Sequence, residues 1–173
     1  PPPAFATVAQ QHMQLYGTTE EQLAMVAVKN RRNGLNNKKG QMQKAITLED
    51  AMSSRTIVRP LKLTDCCPVT DGGAAIILAC EEKAKDLTDK PLVYIRGTAQ
   101  GTQHQMSANF NNGVWSTWDT LRIVGENAYK HARVTPQDID VAQTHDCFTI
   151  SEIVEVEELG FCKKGEGGPF TQA

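Results

Sequence analysis

Between Ala74 and Cys80 the chain runs through seven consecutive apolar residues, AAIILAC, the length of a strand buried on both faces. Such a strand needs neighbours beside it and helices above and below, which commits the chain to a layered α/β architecture. Two further runs read as strands, LVYIRGT at Leu92 to Thr98 and IDVAQT at Ile139 to Thr144. EEKAKDLTDK between the first two is charged and helix-forming. A helix is predicted from about Thr117 to Ala132, with Leu121, Val124, Ala128 and Tyr129 on one stripe. Thr135, Pro136 and Asp138 add a brief helical turn. Strand alternating with helix is the order that gives parallel pairing and right-handed crossovers. Three strands cannot cover both faces of a sheet, so the remaining strands are expected outside this sequence.

Upstream of these runs the chain is helical and loopy. Thr18 with Glu21 reads as a capping box, opening a helix with Leu23, Ala24, Ala27 and Val28 inward and ending near Arg32. Residues 33–44 read as a polar loop, and Thr47 with Asp50 caps a short helix. Near the other end, Thr149 with Glu152 reads as a capping box for a helix that Gly160 ends. Ile150, Ile153, Val154 and Leu159 are assigned inward and Glu155, Glu157 and Glu158 outward. The chain starts at Pro1 and stops at GGPFTQA with no helix or strand expected there, so both ends read as cut.

The charge balance excludes one class of partner. Eighteen Lys and Arg against twenty Asp and Glu give a formal charge of −2, which offers no phosphate-neutralising surface for a nucleic acid. No apolar run approaches the roughly 20 residues that a bilayer-spanning helix needs. The five cysteines are odd in number and form no CxxC pair, against a disulfide framework or a structural zinc site. Cys66, Cys67, Cys80 and Cys162 read as buried reduced thiols.

Chemistry is expected where a strand's carboxyl end meets a helix N-terminus. His145, Asp146, Cys147 and Phe148 occupy that place, directly after IDVAQT. His145 is either a satisfied structural residue or a functional one, and Asp146 is able to bond the helix amides. Cys147 is either a nucleophile activated by the helix terminus or, the favoured reading, a small pocket wall. GxSxG, GxGxxG and GxxxxGK are absent. His12, His104 and His131 lack metal-ligand spacing, and His131 suits a structural place in the last turn of its helix. Trp115 and Trp118 read equally as a lid or as packing.

Three stretches together carry a family resemblance. QHMQLYGTTEEQLAMVAVKNRRNGLNNKKGQMQ, LKLTDCCPVTDGGAAIILAC and DIDVAQTHDCFTISEIVEVEELGFC resemble EHMxxYGTxxExxAxxAxKNxxxxxxNxxxQ, LxxxDCCPxxDGAAA and DIDVxxxHDCFxxxExxxxExLGxC. That is the running pattern of the thiolase superfamily, in its sterol-carrier-protein-type branch. The match extends from His12 to Gly168, with departures at NNKKGQ and at Gly73, where Ala is usual.

The resemblance implies a thiolase-like layered α/β/α/β/α fold, incomplete in this chain. Residues 1–60 would be loop domain, 61–90 the end of the first half and 91–173 the start of the second. It implies an acyl-CoA C-acyltransferase, most simply acetyl-CoA C-acetyltransferase, working through a cysteine acyl-enzyme on a coenzyme A thioester without a metal or further cofactor. The family's nucleophilic cysteine, its second cysteine and its GHP histidine have no counterpart among these residues. His145 alone maps to the active-site set, where many thiolases carry the Asn of an NEAF motif that holds an oxyanion-site water; Cys147 and Phe148 map to the neighbouring substrate-pocket wall. A homodimer or higher homo-oligomer, a companion protein and a cytoplasmic location, with a peroxisomal one left open, are further expectations. The alternative is a non-catalytic acyl-CoA- or lipid-binding or assembly subunit on the same frame.

Overall fold

The computed structural model describes residues 1–102 and 114–172. Helices α1 (Pro2–Tyr16), α2 (Glu20–Gly34) and α3 (Leu48–Ser53) lead into a hairpin of β1 (Thr56–Val58) and β2 (Leu61–Lys62). Helices α4 (Glu81–Leu87), α5 (Asp119–Ala132), α6 (Thr149–Glu158) and α7 (Gly167–Gln172) follow. Helix α6 is the axis of the packing, buried along its whole length among α1, α2, α5 and α7. Ile150, Ile153 and Val154 of α6 form one core with Ala6, Val8 and Ala9 of α1, Leu23 and Val26 of α2, Leu61 of β2 and Phe148. Burying side chains of this size contributes roughly 1.5–3 kcal/mol each for Val, Leu, Ile or Phe. That core draws on both ends of the sequence.

Helix α1 is an element that the side-chain spacing did not lead one to expect. Pro2 and Pro3 lie in the first turn, where backbone N–H groups have no intrahelical acceptor and a fixed φ is already helical, so prolines start this helix. Gly17, at φ 77°, closes it by donating its N–H to the Met13 carbonyl at 2.9 Å. The cap of α2 is Thr19 rather than Thr18: Thr19 Oγ1 accepts from the Gln22 N–H, and Gln22 Oε1 accepts from the Thr19 N–H. Thr18 is buried instead against His12, so its hydroxyl is committed elsewhere. The Thr47–Asp50 capping box of α3 and the turn at Pro136–Asp138 form as read.

The three apolar runs depart furthest from expectation. None of Ala74–Cys80, Leu92–Thr98 or Ile139–Thr144 is hydrogen-bonded into a sheet among the described residues, and Ile77 and Val93 are 89% and 97% exposed. Apolar character selects a strand only where a partner supplies the ladder hydrogen bonds; here the β1–β2 hairpin is the sole named sheet among the described residues. The runs nonetheless keep helical neighbours. Ile77, Leu78, Val93 and Ile95 line a cleft with Ala84 and Leu87 of α4. Gly97 lies so close to α5 that a Cβ there would stand 2.6 Å from the Ala128 carbonyl oxygen.

Helix α6 overturns two assignments. Thr149 is not its cap: Phe148 is, and the Thr149 hydroxyl donates to Asp65 Oδ1 at 2.9 Å. Glu155, Glu157 and Glu158 are buried rather than outward; His12, Lys164 and the Gly167 N–H reach Glu157, and Lys164 and the Trp118 N–H reach Glu158. The C-terminal stretch forms α7, where no element was expected, with Gly167 and Gly168 pressed against Ile153 of α6 and Gln22 of α2. All five cysteines are free thiols, and Cys67 and Cys80 are exposed rather than buried, since the segments they belong to or flank have no sheet covering them. The predicted loop at 99–118 and His104 fall largely or wholly outside the described residues.

Candidate functional site

The turn His145–Phe148 is held from three sides. Its backbone folds on itself, with the Cys147 N–H donating to the His145 carbonyl at 3.0 Å. Cys66 and Phe148 form an antiparallel bridge, and the Cys67 N–H donates to the Cys147 carbonyl at 3.1 Å. Below, the Phe148 ring is 5% exposed and stacks on Phe5, ring centroids 4.3 Å apart. Phe148 is thus a core anchor for the turn.

Asp146 fixes the third side. Its Oδ2 accepts from Asn30 Nδ2 at 2.6 Å, and the same amide donates to Glu152 Oε2 at 2.8 Å. Lys29 Nζ lies 2.8 Å from Glu152 Oε1 and donates to Asn30 Oδ1 at 2.6 Å. Both Asn30 donors and its acceptor are therefore engaged, which defines the amide orientation. Burial pushes the Asp146 carboxyl up from its ordinary value, opposed by the Asn30 hydrogen bond. Lys29, Asn30, Thr144, Asp146 and Glu152 line a cleft between α2 and the 139–144 segment. Asn30 and Asp146 also wall a second cleft with Asp65, Cys66 and Cys67.

Within this frame His145 is exposed, and its imidazole makes no hydrogen bond among the described residues. Cys147 is half-buried, its Sγ 3.6 Å from the Ser151 hydroxyl. Burial pushes its thiol up, which disfavours the thiolate that a nucleophile needs. Next to Asp146 and Glu152 lies Glu155, 9% exposed, whose Oε2 has no partner among the described residues. Burial, reinforced by the charges of Asp146 and Glu152 and opposed by a hydrogen bond with Thr144, lifts its pKa to about 7.

On the opposite side of α6, His12 is fully buried, with Nδ1 2.7 Å from Thr18 Oγ1 and Nε2 3.1 Å from Glu157 Oε2. Lys164 Nζ lies 3.2 Å from Glu157 and 2.8 Å from Glu158. His131 binds backbone, its Nδ1 3.2 Å from the Thr98 carbonyl oxygen, a structural role. Trp115 and Trp118 pack against the core, with Trp118 Nε1 donating to the Trp115 carbonyl. No group of three or more His, Cys, Asp or Glu suited to a metal ion occurs among the described residues.

Sequence reasoning singled out the turn but not the residues that hold it. Lys29, Asn30 and Glu152 are all fixed letters of the resemblance quoted above. Read locally, each is an ordinary charged or polar helix residue.

Comparison with known proteins supplies the wider context. Residues 99–173 match the family model described as thiolase C-terminal domain-like. An acetyl-CoA acetyltransferase of Methanothermobacter thermautotrophicus is 43% identical over 172 residues, covering 96% of this chain and 43% of that protein. Sterol carrier protein 2 of Bos taurus is 34% identical over 99% of this chain and 32% of its own length. In structure, the Ltp2-ChsH2(DUF35) aldolase superimposes with a TM-score of 0.90 at 37% identity, covering 97% of this chain and 44% of that one. The chain spans less than half the length of these relatives.

Proposed function

As a member of the thiolase superfamily with a partial thiolase-like α/β fold, the chain, we propose, is a portion of an acyl-CoA C-acyltransferase, most simply an acetyl-CoA C-acetyltransferase. In this reading His145 holds an oxyanion-site water, and Cys147 forms pocket wall. The acyl-carrying cysteine and the GHP histidine, which have no counterpart in these residues, belong to a longer parent. Residues 1–60 act as loop domain, 61–90 close the first half and 91–173 open the second. The observation that carries the reading is the exposed, unbonded imidazole of His145 on a turn fixed by Asp146 and Phe148. A donor there is free to meet a ligand, on a backbone that its neighbours hold in place.

Mechanistically, condensation or thiolysis of a thioester develops negative charge on an oxygen, and a positioned donor stabilises it without itself titrating. The fixed turn holds the backbone that carries that donor. The raised Cys147 thiol keeps the wall neutral beside the thioester. A coenzyme A thioester is the substrate and no metal is required. The Ltp2-ChsH2(DUF35) relative supports a companion protein for the parent. A cytoplasmic homo-oligomer completes the proposal.

In the parent enzyme, His145→Ala is expected to lower turnover about 100- to 1000-fold while acylation of the nucleophilic cysteine stays detectable. His145→Asn is expected to recover part of the loss. Unchanged turnover in His145→Ala refutes the assignment, and lost acyl-enzyme formation in Cys147→Ser transfers the nucleophile's role to Cys147. A wild-type parent that binds acyl-CoA without turning it over supports instead a binding subunit on the same frame.

A further inference from the structure

The segment that follows β2 runs against the end of the His145 turn in the opposite direction. The Thr149 hydroxyl donates to Asp65 Oδ1 at 2.9 Å, Cys66 and Phe148 form an antiparallel bridge, and the Cys67 N–H donates to the Cys147 carbonyl at 3.1 Å. Of these three contacts the first alone is between side chains, and both of its residues are buried. Thr149 opens α6, so Asp65 places a carboxyl at that helix's N-terminus, where the dipole favours negative charge. Asp65 is itself anchored. Its Oδ2 accepts from the Lys62 N–H at 2.7 Å, and Lys62 Nζ pairs with Glu20 in the first turn of α2. Its neighbour Thr64 donates through Oγ1 to the Ala51 carbonyl of α3 at 3.3 Å. Helix α2 therefore reaches the turn twice, once through Asn30 on Asp146 and once through Glu20, Lys62 and Asp65 on Thr149.

We propose that Asp65 is a positioning residue for His145, pinning the end of the turn through Thr149 as Asn30 pins it through Asp146. This deepens the acyl-transfer reading and rests on it, since it gives Asp65 a role only if His145 meets the developing charge. A carboxyl that accepts from donors in two segments fixes the distance between them, and burial makes an unpaired donor costly. Loss of the Thr149 contact frees the backbone at residues 147–149 to shift, and with it the point from which the imidazole is presented. A misplacement of about 1 Å is enough to cost up to about 100-fold in rate. Asp65 acts through His145 and not on the reacting atoms.

The test is kinetic, in the full-length parent. Thr149→Val keeps the shape and removes the hydroxyl; it is expected to lower kcat about 10- to 100-fold with KM little changed. Thr149→Ser is expected to recover most of that loss. Asp65→Ala should match Thr149→Val, and the double variant should add no more than about twofold, because both remove one contact. In a His145→Ala background Thr149→Val should cost nothing further, which a general structural role would not produce. Should Asp65→Ala fail to fold, the two Thr149 variants still decide. Full turnover in Thr149→Val, a loss confined to KM, or an undiminished loss in the His145→Ala background overturns the proposal. His145→Ala alone separates the two failures: unchanged turnover there removes the oxyanion reading and this role together, whereas reduced turnover there beside full turnover in Thr149→Val removes the role of Asp65 only.

Discussion

Asn30 of α2 donates to Asp146 at 2.6 Å across 116 residues of sequence, and through that contact the second helix of the chain holds the turn that carries His145. The same amide satisfies Glu152, and Lys29 neutralises it. Two carboxylates are thereby held side by side with every hydrogen bond of one Asn accounted for.

Replacing Asn30 by Leu removes both donors at once and leaves Asp146 Oδ2 and Glu152 Oε2 without their partner at a part-buried site. Unsatisfied groups of this kind cost about 1–3 kcal/mol each, so Asn30→Leu is expected to lower stability by about 2–4 kcal/mol in urea unfolding. Asn33→Ala, one turn away and exposed, should stay within about 0.5 kcal/mol. Equal effects of the two would show that the network does not hold the turn.

Glu155 predicts a pH dependence of stability. With a folded pKa of about 7 against an ordinary 4.5, it keeps its proton in the native state over a range where the unfolded chain has released its own. Stability is therefore fully present below the ordinary carboxylate value and is lost as pH rises through about 7. The loss between pH 5 and 8 should be on the order of 1–3 kcal/mol. Glu155→Gln keeps a partner for Thr144 and should flatten the slope in thermal melts across that range. An unaltered slope in the variant would assign the effect elsewhere.

The buried pair on the other side of α6 behaves differently. Burial works against the Glu157 charge, yet hydrogen bonds from His12 and the Gly167 N–H, together with the Lys164 charge, hold its carboxyl below the usual value. Removing one partner of a buried pair typically costs about 3–5 kcal/mol. His12→Leu should reach that range and Lys164→Met, at a half-exposed cation, should fall below it. The reverse order in denaturant titrations would place the burden on Lys164.

Ile77, Val93 and Val141, 89%, 97% and 80% exposed, make the isolated chain prone to association, since adjacent unpaired apolar segments template pairing with another copy. Light scattering after size exclusion should detect species larger than a monomer, and Ile77→Lys with Val93→Lys should reduce them. A sharp, cooperative monomer of the unmutated chain would contradict this.

Local chemistry alone determined much of the helical content. Thr47 with Asp50, the Pro136 turn and the amphipathic stripe ending at Ala132 are written in side chains that meet their partners within four residues, so sequence spacing suffices to find them. The family and the position of the His145 turn were legible for a related reason, as runs of identical letters. What tertiary structure decided is everything whose partner is distant. Thr18 and Thr149 look like caps until His12 and Asp65 take their hydroxyls. Glu157 and Glu158 look solvent-facing until His12 of α1 and Lys164 reach them, because a carboxylate's place is set by which cations and donors reach it. AAIILAC has strand composition but no strand pairing, since a ladder is a property of two segments and neither one's sequence contains the other.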